Sequence, residues 1–288
     1  MNYEEARIPT LEGRLAARVY GVSGGAPLPV VILCHGFCGI QELLLPPFAE
    51  AFAAAGYIAV TFDYRGFGAS DGERGRLLPQ GQVVDVLAVI EWVRDQSRFD
   101  SERIALWGTS LGACHVVSVA SRFASLKCLL LQMPFADGES LLTGPMSVRE
   151  KHSFVALLEK MQSRKDSLGK DPFLPIPQIM TDPQSLAFFA HCKTLYPQMD
   201  IRIPFLTVRE IFHYKPVHVA PHVRQPTLVL AASADRVNPP AQALQLYHAL
   251  GGEKRFQLVE GVGHYELYEG DAFFVALSEQ LHWLQRFL

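Results

Sequence analysis

Ser110 sits between two glycines in Leu106-Trp107-Gly108-Thr109-Ser110-Leu111-Gly112, directly after an apolar run. A serine in a Gly-x-Ser-x-Gly pattern, where a strand hands over to a helix, can serve as a nucleophile. The turn is so tight that its flanking residues must be small, and the hydroxyl then projects above the sheet. The same pentapeptide can also be a plain turn holding a hydrogen-bonded serine, so its neighbours must decide. If Ser110 is the nucleophile, the Leu111 amide stands at a helix N-terminus and faces developing negative charge.

A serine hydroxyl is a poor nucleophile until a base takes its proton. Among ten histidines, His264 stands out in "VEGVGHYELYEG", a glycine-bracketed loop between the last predicted strand and the last predicted helix. His115, His152, His191, His213, His218, His222, His248 and His282 lie in or beside predicted helices or in the proline-rich middle, and read as surface or helix-face residues. His35, in "LCHGFCG" after the third strand, is the exception. There the glycine lets the chain bend so that the Phe37 amide faces a pocket as a second oxyanion donor, and His35 braces the loop. The base in turn needs an acid to hold its tautomer and stabilise the imidazolium. Asp235 in "LVLAASADRVNPP" follows the seventh strand and suits that role. It could instead cap the next helix, a task for which Asn238 is also available. Asp137 and Asp63 compete as acids, although Asp63 reads as a brace for Arg65 and its own loop.

These residues are far apart in the chain, so a scaffold must bring their loops to one edge. Short β-rich runs alternate with amphipathic helix-length segments, which predicts an α/β fold with a mostly parallel sheet. The opening predicts a hairpin turning at Glu12-Gly13, followed by a buried strand in "PVVILCHG". "ELLLPPFAEAFAAAGY" predicts a helix closed by Gly56. The strand "YIAVTFDYRG" leads to a helix with Val83, Val86, Leu87 and Ile90 on one face. "RIALWG" is a strand, Leu111 to Phe123 a helix, and "LKCLLLQMPF" a strand again. Loops after parallel strands converge on a crevice above the strand ends, where Phe37, Ser110, Asp235 and His264 all fall.

From Pro134 to His222 the alternation breaks. This segment holds 10 of the 19 prolines but only three of the 22 glycines, and it predicts helices instead of strand–helix units. Ser147-x-x-Glu150 and Thr207-x-x-Glu210 read as capping boxes. The economical division is a core of residues 1–133 and 223–288 with a helical insertion at 134–222. Strand and helix patterns resume with "PTLVLAAS" and continue to a final helix from about Asp271.

The 288 residues carry a formal net charge of −3, which leaves no electrostatic footprint for nucleic acid or an anionic membrane. No apolar run approaches a membrane span, and the N-terminus shows no secretory pattern. Five cysteines are an odd count in a chain too large to need staples. A cytoplasmic protein with reduced thiols and a small-molecule substrate is the expectation. Cys34-His35-x-x-Cys38 is not followed by a second ligand pair at finger-like spacing, so no metal is expected. The oligomeric state is not legible, and a homo-oligomer stays open.

"HGFCG", "FDYRGFGASDGE", "GTSLGA", "ASADRVNPP" and "GVGHYE" occur in this order, and on them the chain resembles the serine α/β-hydrolases. "DYRGFGASDG" with "RIALWGTSLGA" is similar to the dienelactone-hydrolase-like and X-Pro-dipeptidyl-peptidase-like branches. The chain order Ser110, Asp235, His264 is the one such triads follow. The resemblance implies an α/β-hydrolase fold with a mostly parallel eight-stranded sheet, helices on both faces and an inserted helical cap. It also implies a Ser110–His264–Asp235 triad, oxyanion amides at Phe37 and Leu111, and no cofactor.

The activity so implied is hydrolysis of a carboxylic ester, thioester or lactone through an acyl-enzyme. Carbon–carbon bond hydrolysis, amide hydrolysis, acyl transfer and a non-hydrolytic biosynthetic or ligand-binding role remain open on the same triad. Cys34, Cys38 and Cys114 crowd the expected site and read as small buried hydrophobes. His35, Cys38, Cys114, Phe188 and Phe212 are the candidate pocket residues. Phe154, Phe189 and Phe205 are further candidates for the inner face of the cap, although cap aromatics also build the cap's own core.

Overall fold

In this computed structural model, residues 3–21 and 25–288 are described. Strands β1 (Tyr3–Thr10) and β2 (Gly13–Tyr20) form an antiparallel hairpin that pairs Thr10 with Gly13. The turn therefore lies at Leu11-Glu12, and Gly13 opens β2 at φ +119°, a conformation glycine adopts without steric cost. Then follow β3 (Leu28–Cys34), α1 (Leu45–Ala54), β4 (Ile58–Phe62), α2 (Pro79–Arg94), β5 (Phe99–Thr109), α3 (Leu111–Ala120) and β6 (Cys128–Gln132). After β6 the chain forms α4 (Gly138–Thr143), α5 (Val148–Leu168), β7 (Phe173–Pro175), α6 (Pro183–Leu195), β8 (Arg202–Pro204) and α7 (Thr207–His213). It returns through β9 (Thr227–Ala232), α8 (Pro240–Ala249), β10 (Lys254–Val259) and α9 (Gly270–Phe287).

Eight strands make one sheet in the order β1-β2-β4-β3-β5-β6-β9-β10. The pairs β1–β2 and β2–β4 are antiparallel and every other neighbour is parallel. This is the α/β-hydrolase fold. Successive side chains on a strand point to opposite faces, and β3 shows the consequence. Val30, Ile32 and Cys34 enter one apolar cluster, Val31 and Leu33 the other. Helices α2, α3 and α8 contribute to the first cluster, α1 and α9 to the second. A strand covered on both faces has no polar side, which explains the continuous apolar runs.

Between β6 and β9 the chain leaves the sheet. The Ser147–Glu150 capping box is present at the start of α5. The Thr207–Glu210 box is not: Thr207 is already helical, Leu206 precedes it without a side-chain cap, and the Thr207 hydroxyl donates to Leu77 O at 3.0 Å. A tertiary partner took the hydroxyl that a local cap would have used. The antiparallel ribbon of β7 and β8 has three-residue strands, too short for alternation to reveal. Among the described residues no helix is long and apolar enough to cross a membrane.

Candidate active site

Because β5 ends at Thr109 and α3 begins at Leu111, Ser110 alone turns the chain, at φ +54° and ψ −123°. A non-glycine residue in that region costs about 1–3 kcal/mol and persists only when its surroundings hold it. Ser110 N donates to Gln132 O at 2.8 Å on β6. A Cβ on Gly112 would lie 2.3 Å from the carbonyl oxygens of both Cys34 and His35, and one on Gly108 2.6 Å from Gly112 O. Only glycine lets the first turn of α3 pass this close to the end of β3.

The loop after β9 carries Asp235 and the loop after β10 carries His264, both almost fully buried. Asp235 Oδ2 meets His264 Nδ1 at 2.6 Å. The other carboxylate oxygen, Oδ1, accepts from the amides of Val237 and Asn238, each at 2.8 Å, so the acid is fixed on both sides. Helix α6 touches both loops. Gln184 Nε2 donates to Ala234 O at 3.4 Å, and the Ser185 hydroxyl bonds to Tyr265 OH at 3.0 Å. Phe188 stacks on the Tyr265 ring at 3.9 Å between centroids.

His35 Nε2 lies 2.7 Å from Leu43 O. A carbonyl only accepts, so Nε2 carries the proton, and burial pushes this imidazole down to about 4. A neutral ring donating to the backbone braces the loop. The next residue but one, Phe37, lines the space beside Ser110. Among the described residues neither the Phe37 nor the Leu111 amide donates to a protein acceptor.

Two cavities meet at Ser110. One, of about 340 Å³, is lined by Leu141, Leu142, Ile179, Met180 and Ile211 on the side of the insertion, and by Phe37, Leu111 and Asn238 on the side of the core. The other, of about 30 Å³, is bordered by His35, Thr109, Phe188, His264 and Tyr268. Ser110, Phe37 and Met180 border both. His264 makes no direct hydrogen bond to Ser110. The partner of Ser110 Oγ is Asn238 Nδ2, at 3.2 Å.

Other expected residues lie elsewhere. Cys38 is buried at φ +54° and lines neither cavity. Cys114 bonds through Sγ to Phe135 O at 3.3 Å and also lines neither. Burial pushes both thiols up, away from the thiolate form that makes cysteine reactive. Phe212 packs on Phe154 inside the insertion, 6.3 Å between ring centres, and borders neither cavity.

Asp63 accepts from the amides of Gln41 and Ala69, while Arg65 pairs with Asp85 at 2.7 Å. The brace expected between Asp63 and Arg65 is therefore two separate ties. Asp137 caps α4 through Ser140 N and sits 3.5 Å from Lys215. His115 is fully buried, not on a surface. Among the described residues no group of three or more His, Cys, Asp or Glu could hold a metal ion.

The family model described as serine aminopeptidase, S33, matches residues 25–271. The chain belongs to that α/β-hydrolase family. This hydrolase-family chain is 46% identical over 266 residues to an Escherichia coli protein named "Uncharacterized 31.7 kDa protein in traX-finO intergenic region", covering 92% of this chain and 93% of that one. It is 27% identical over 304 residues to the thiohydrolase aneE of Aspergillus aculeatus, covering 98% of this chain and 93% of the relative. Its fold matches a solved structure of DcsB in complex with a substrate analogue at a TM-score of 0.86 and 19% identity, over 99% of both chains.

Proposed function

We propose that this chain is a serine hydrolase that cleaves a carboxylic ester, thioester or lactone of a small, largely apolar compound through an acyl-enzyme on Ser110. The observation that carries this reading is the buried 2.6 Å Asp235–His264 pair, whose His264 borders one cavity together with a serine held in a strained elbow. Asp235 holds the Nδ1 proton and leaves Nε2 to take the proton of Ser110. Oγ attacks the substrate carbonyl, and the Phe37 and Leu111 amides receive the oxyanion. His264 then protonates the leaving group and activates a water that releases the acid.

The acyl group occupies the 340 Å³ cavity, whose lining is mostly apolar. The His264 side, at about 30 Å³, has room for no more than a few waters, which favours water over a bulky acceptor. Residues 134–222 act as the cap that selects the substrate, since Leu141, Leu142, Ile179, Met180 and Ile211 in this segment line the acyl side. The name of the Aspergillus relative, a thiohydrolase, keeps thioesters beside esters in this reading.

A fluorophosphonate probe tests the nucleophile. Expected are rapid labelling of the wild-type protein, no labelling of Ser110→Ala, and an esterase rate lower by roughly a thousandfold or more in that variant. Folded wild-type protein that resists the probe would overturn the reading. Release of p-nitrophenol from esters of increasing acyl length then sizes the acyl side. Inactivity on every ester would move the assignment to amide or carbon–carbon bonds.

A further inference from the structure

Asn238 lies three residues past Asp235, buried, with its side chain reaching the chain just after β5 and just after β6. Its Nδ2 is 2.8 Å from Met133 O and 3.2 Å from Ser110 Oγ. The Met133 carbonyl can only accept, so the amide must present its NH₂ group to it. That fixes the orientation of the side chain and sends the second N–H to Ser110 Oγ. Met133 is itself in the left-handed region at φ +49° and is held by a 2.7 Å bond from its amide to Leu230 O. The backbone of Asn238 is tied as well, through its N–H to Asp235 Oδ1 at 2.8 Å. The donor is therefore aimed before any substrate arrives.

We propose that Asn238 is a catalytic residue whose main effect is on release of the acyl group from Ser110. This inference rests on the reading of Ser110 as nucleophile. In deacylation a water gives a proton to His264 Nε2 and its oxygen bonds to the acyl carbon. The resulting tetrahedral intermediate collapses, and the carbon–Oγ bond breaks. Its electron pair goes to Oγ, and the proton on His264 follows to restore the serine hydroxyl.

The bond from Asn238 Nδ2 changes strength along this path. In the acyl-enzyme Oγ is an ester oxygen, a weak acceptor. As the carbon–Oγ bond breaks, Oγ gains negative charge, and a hydrogen bond to a charged oxygen is about twice as strong as a neutral one. The interaction is thus stronger in the transition state than in the state before it, which is what accelerates a step. Acylation gains less, because the free hydroxyl already accepts the same bond before reaction.

Stopped-flow hydrolysis of p-nitrophenyl butyrate separates the two steps as a burst and a steady state, and intact mass reads the acylated fraction. Two variants are compared with wild type, Asn238→Ala and the near-isosteric Asn238→Leu, so that misfolding of one leaves the other to decide. The expected result is deacylation slowed roughly 10- to 100-fold, from the worth of one charge-assisted hydrogen bond, with a smaller loss in the burst rate and a visible acyl-enzyme mass. A purely structural role lowers burst and steady-state rates together. Deacylation slowed no more than acylation would overturn the inference while leaving Ser110 labelled by the fluorophosphonate. Loss of labelling in the wild-type protein would overturn the nucleophile reading itself, and this inference with it.

Discussion

Helices α3 and α5 belong to one chain and differ in what holds them. All ten residues of α3 are buried, whereas of the 21 in α5 only Leu158 is. A helix that is apolar all round has neighbours on every side, and α3 has them in the sheet and in α2. Its histidine, His115, is satisfied inside, by Gln82 Oε1 at 2.9 Å and Tyr214 OH at 3.0 Å. Helix α5 is held by its own ends: the Ser147–Glu150 box at the start, and Gly169 in the left-handed conformation at the close. The helix that follows Ser110 is fixed by packing. The helix at the edge of the insertion is fixed by local chain chemistry.

The largest test of this contrast is steric. Gly112→Ala places a methyl against two backbone carbonyls that flank the elbow, and a loss of about 3 kcal/mol or more is expected from overpacking that cannot relax. Urea denaturation measures it, and a loss below about 1 kcal/mol would show that the α3–β3 contact is soft.

Acid provides the next test. Burial pushes the His115 imidazole down to about 3 and that of His35 to about 4. Both stay neutral in the fold at pH 5, while the same residues in the unfolded chain, titrating near 6.5, take up protons. The unfolded state then binds more protons, so stability is fully present above pH 6.5 and is lost as pH falls towards 4. Between pH 7.5 and pH 5 the expected loss is about 2 kcal/mol per histidine. Thermal unfolding at the two values should show a smaller acid loss in His115→Gln than in wild type. Equal losses would take His115 out of the account.

The smallest effect is expected on α5. Leu157 is exposed, so Leu157→Ser should change stability by less than about 0.5 kcal/mol. A larger loss in chemical denaturation would mean that this face is covered in solution.

Some of the site was legible in the sequence because the rules involved are local. The Gly108-x-Ser110-x-Gly112 pattern is read directly from the chain, although the carbonyls of Cys34 and His35 that Gly112 makes room for are tertiary neighbours. Asp235 follows a strand whose apolar run could be read directly, and His264 follows the mixed strand "KRFQLVE" in a glycine-bracketed loop. Asn238 was legible only as a helix cap, because nothing in "DRVNPP" says that its amide faces a serine 128 residues away. Phe212 illustrates the opposite failure: an aromatic in a helical insertion can face a cavity or its own core, and spacing does not separate the two. Cys114, one helical turn past Ser110, turned towards Phe135 O, a choice made by the neighbouring strand-end loop.

The amino-acid sequence by itself determined the alternation of strands and helices, the break at residues 134–222 and the order of Ser110, Asp235 and His264. Periods of two and 3.6 residues, caps and tight turns act over a few residues and leave their mark in the chain. Only the tertiary structure decided that Asn238 donates to Ser110 Oγ and that cavities of about 340 and 30 Å³ meet at that serine. Those outcomes depend on distances between residues far apart in sequence, which packing sets and local pattern does not record.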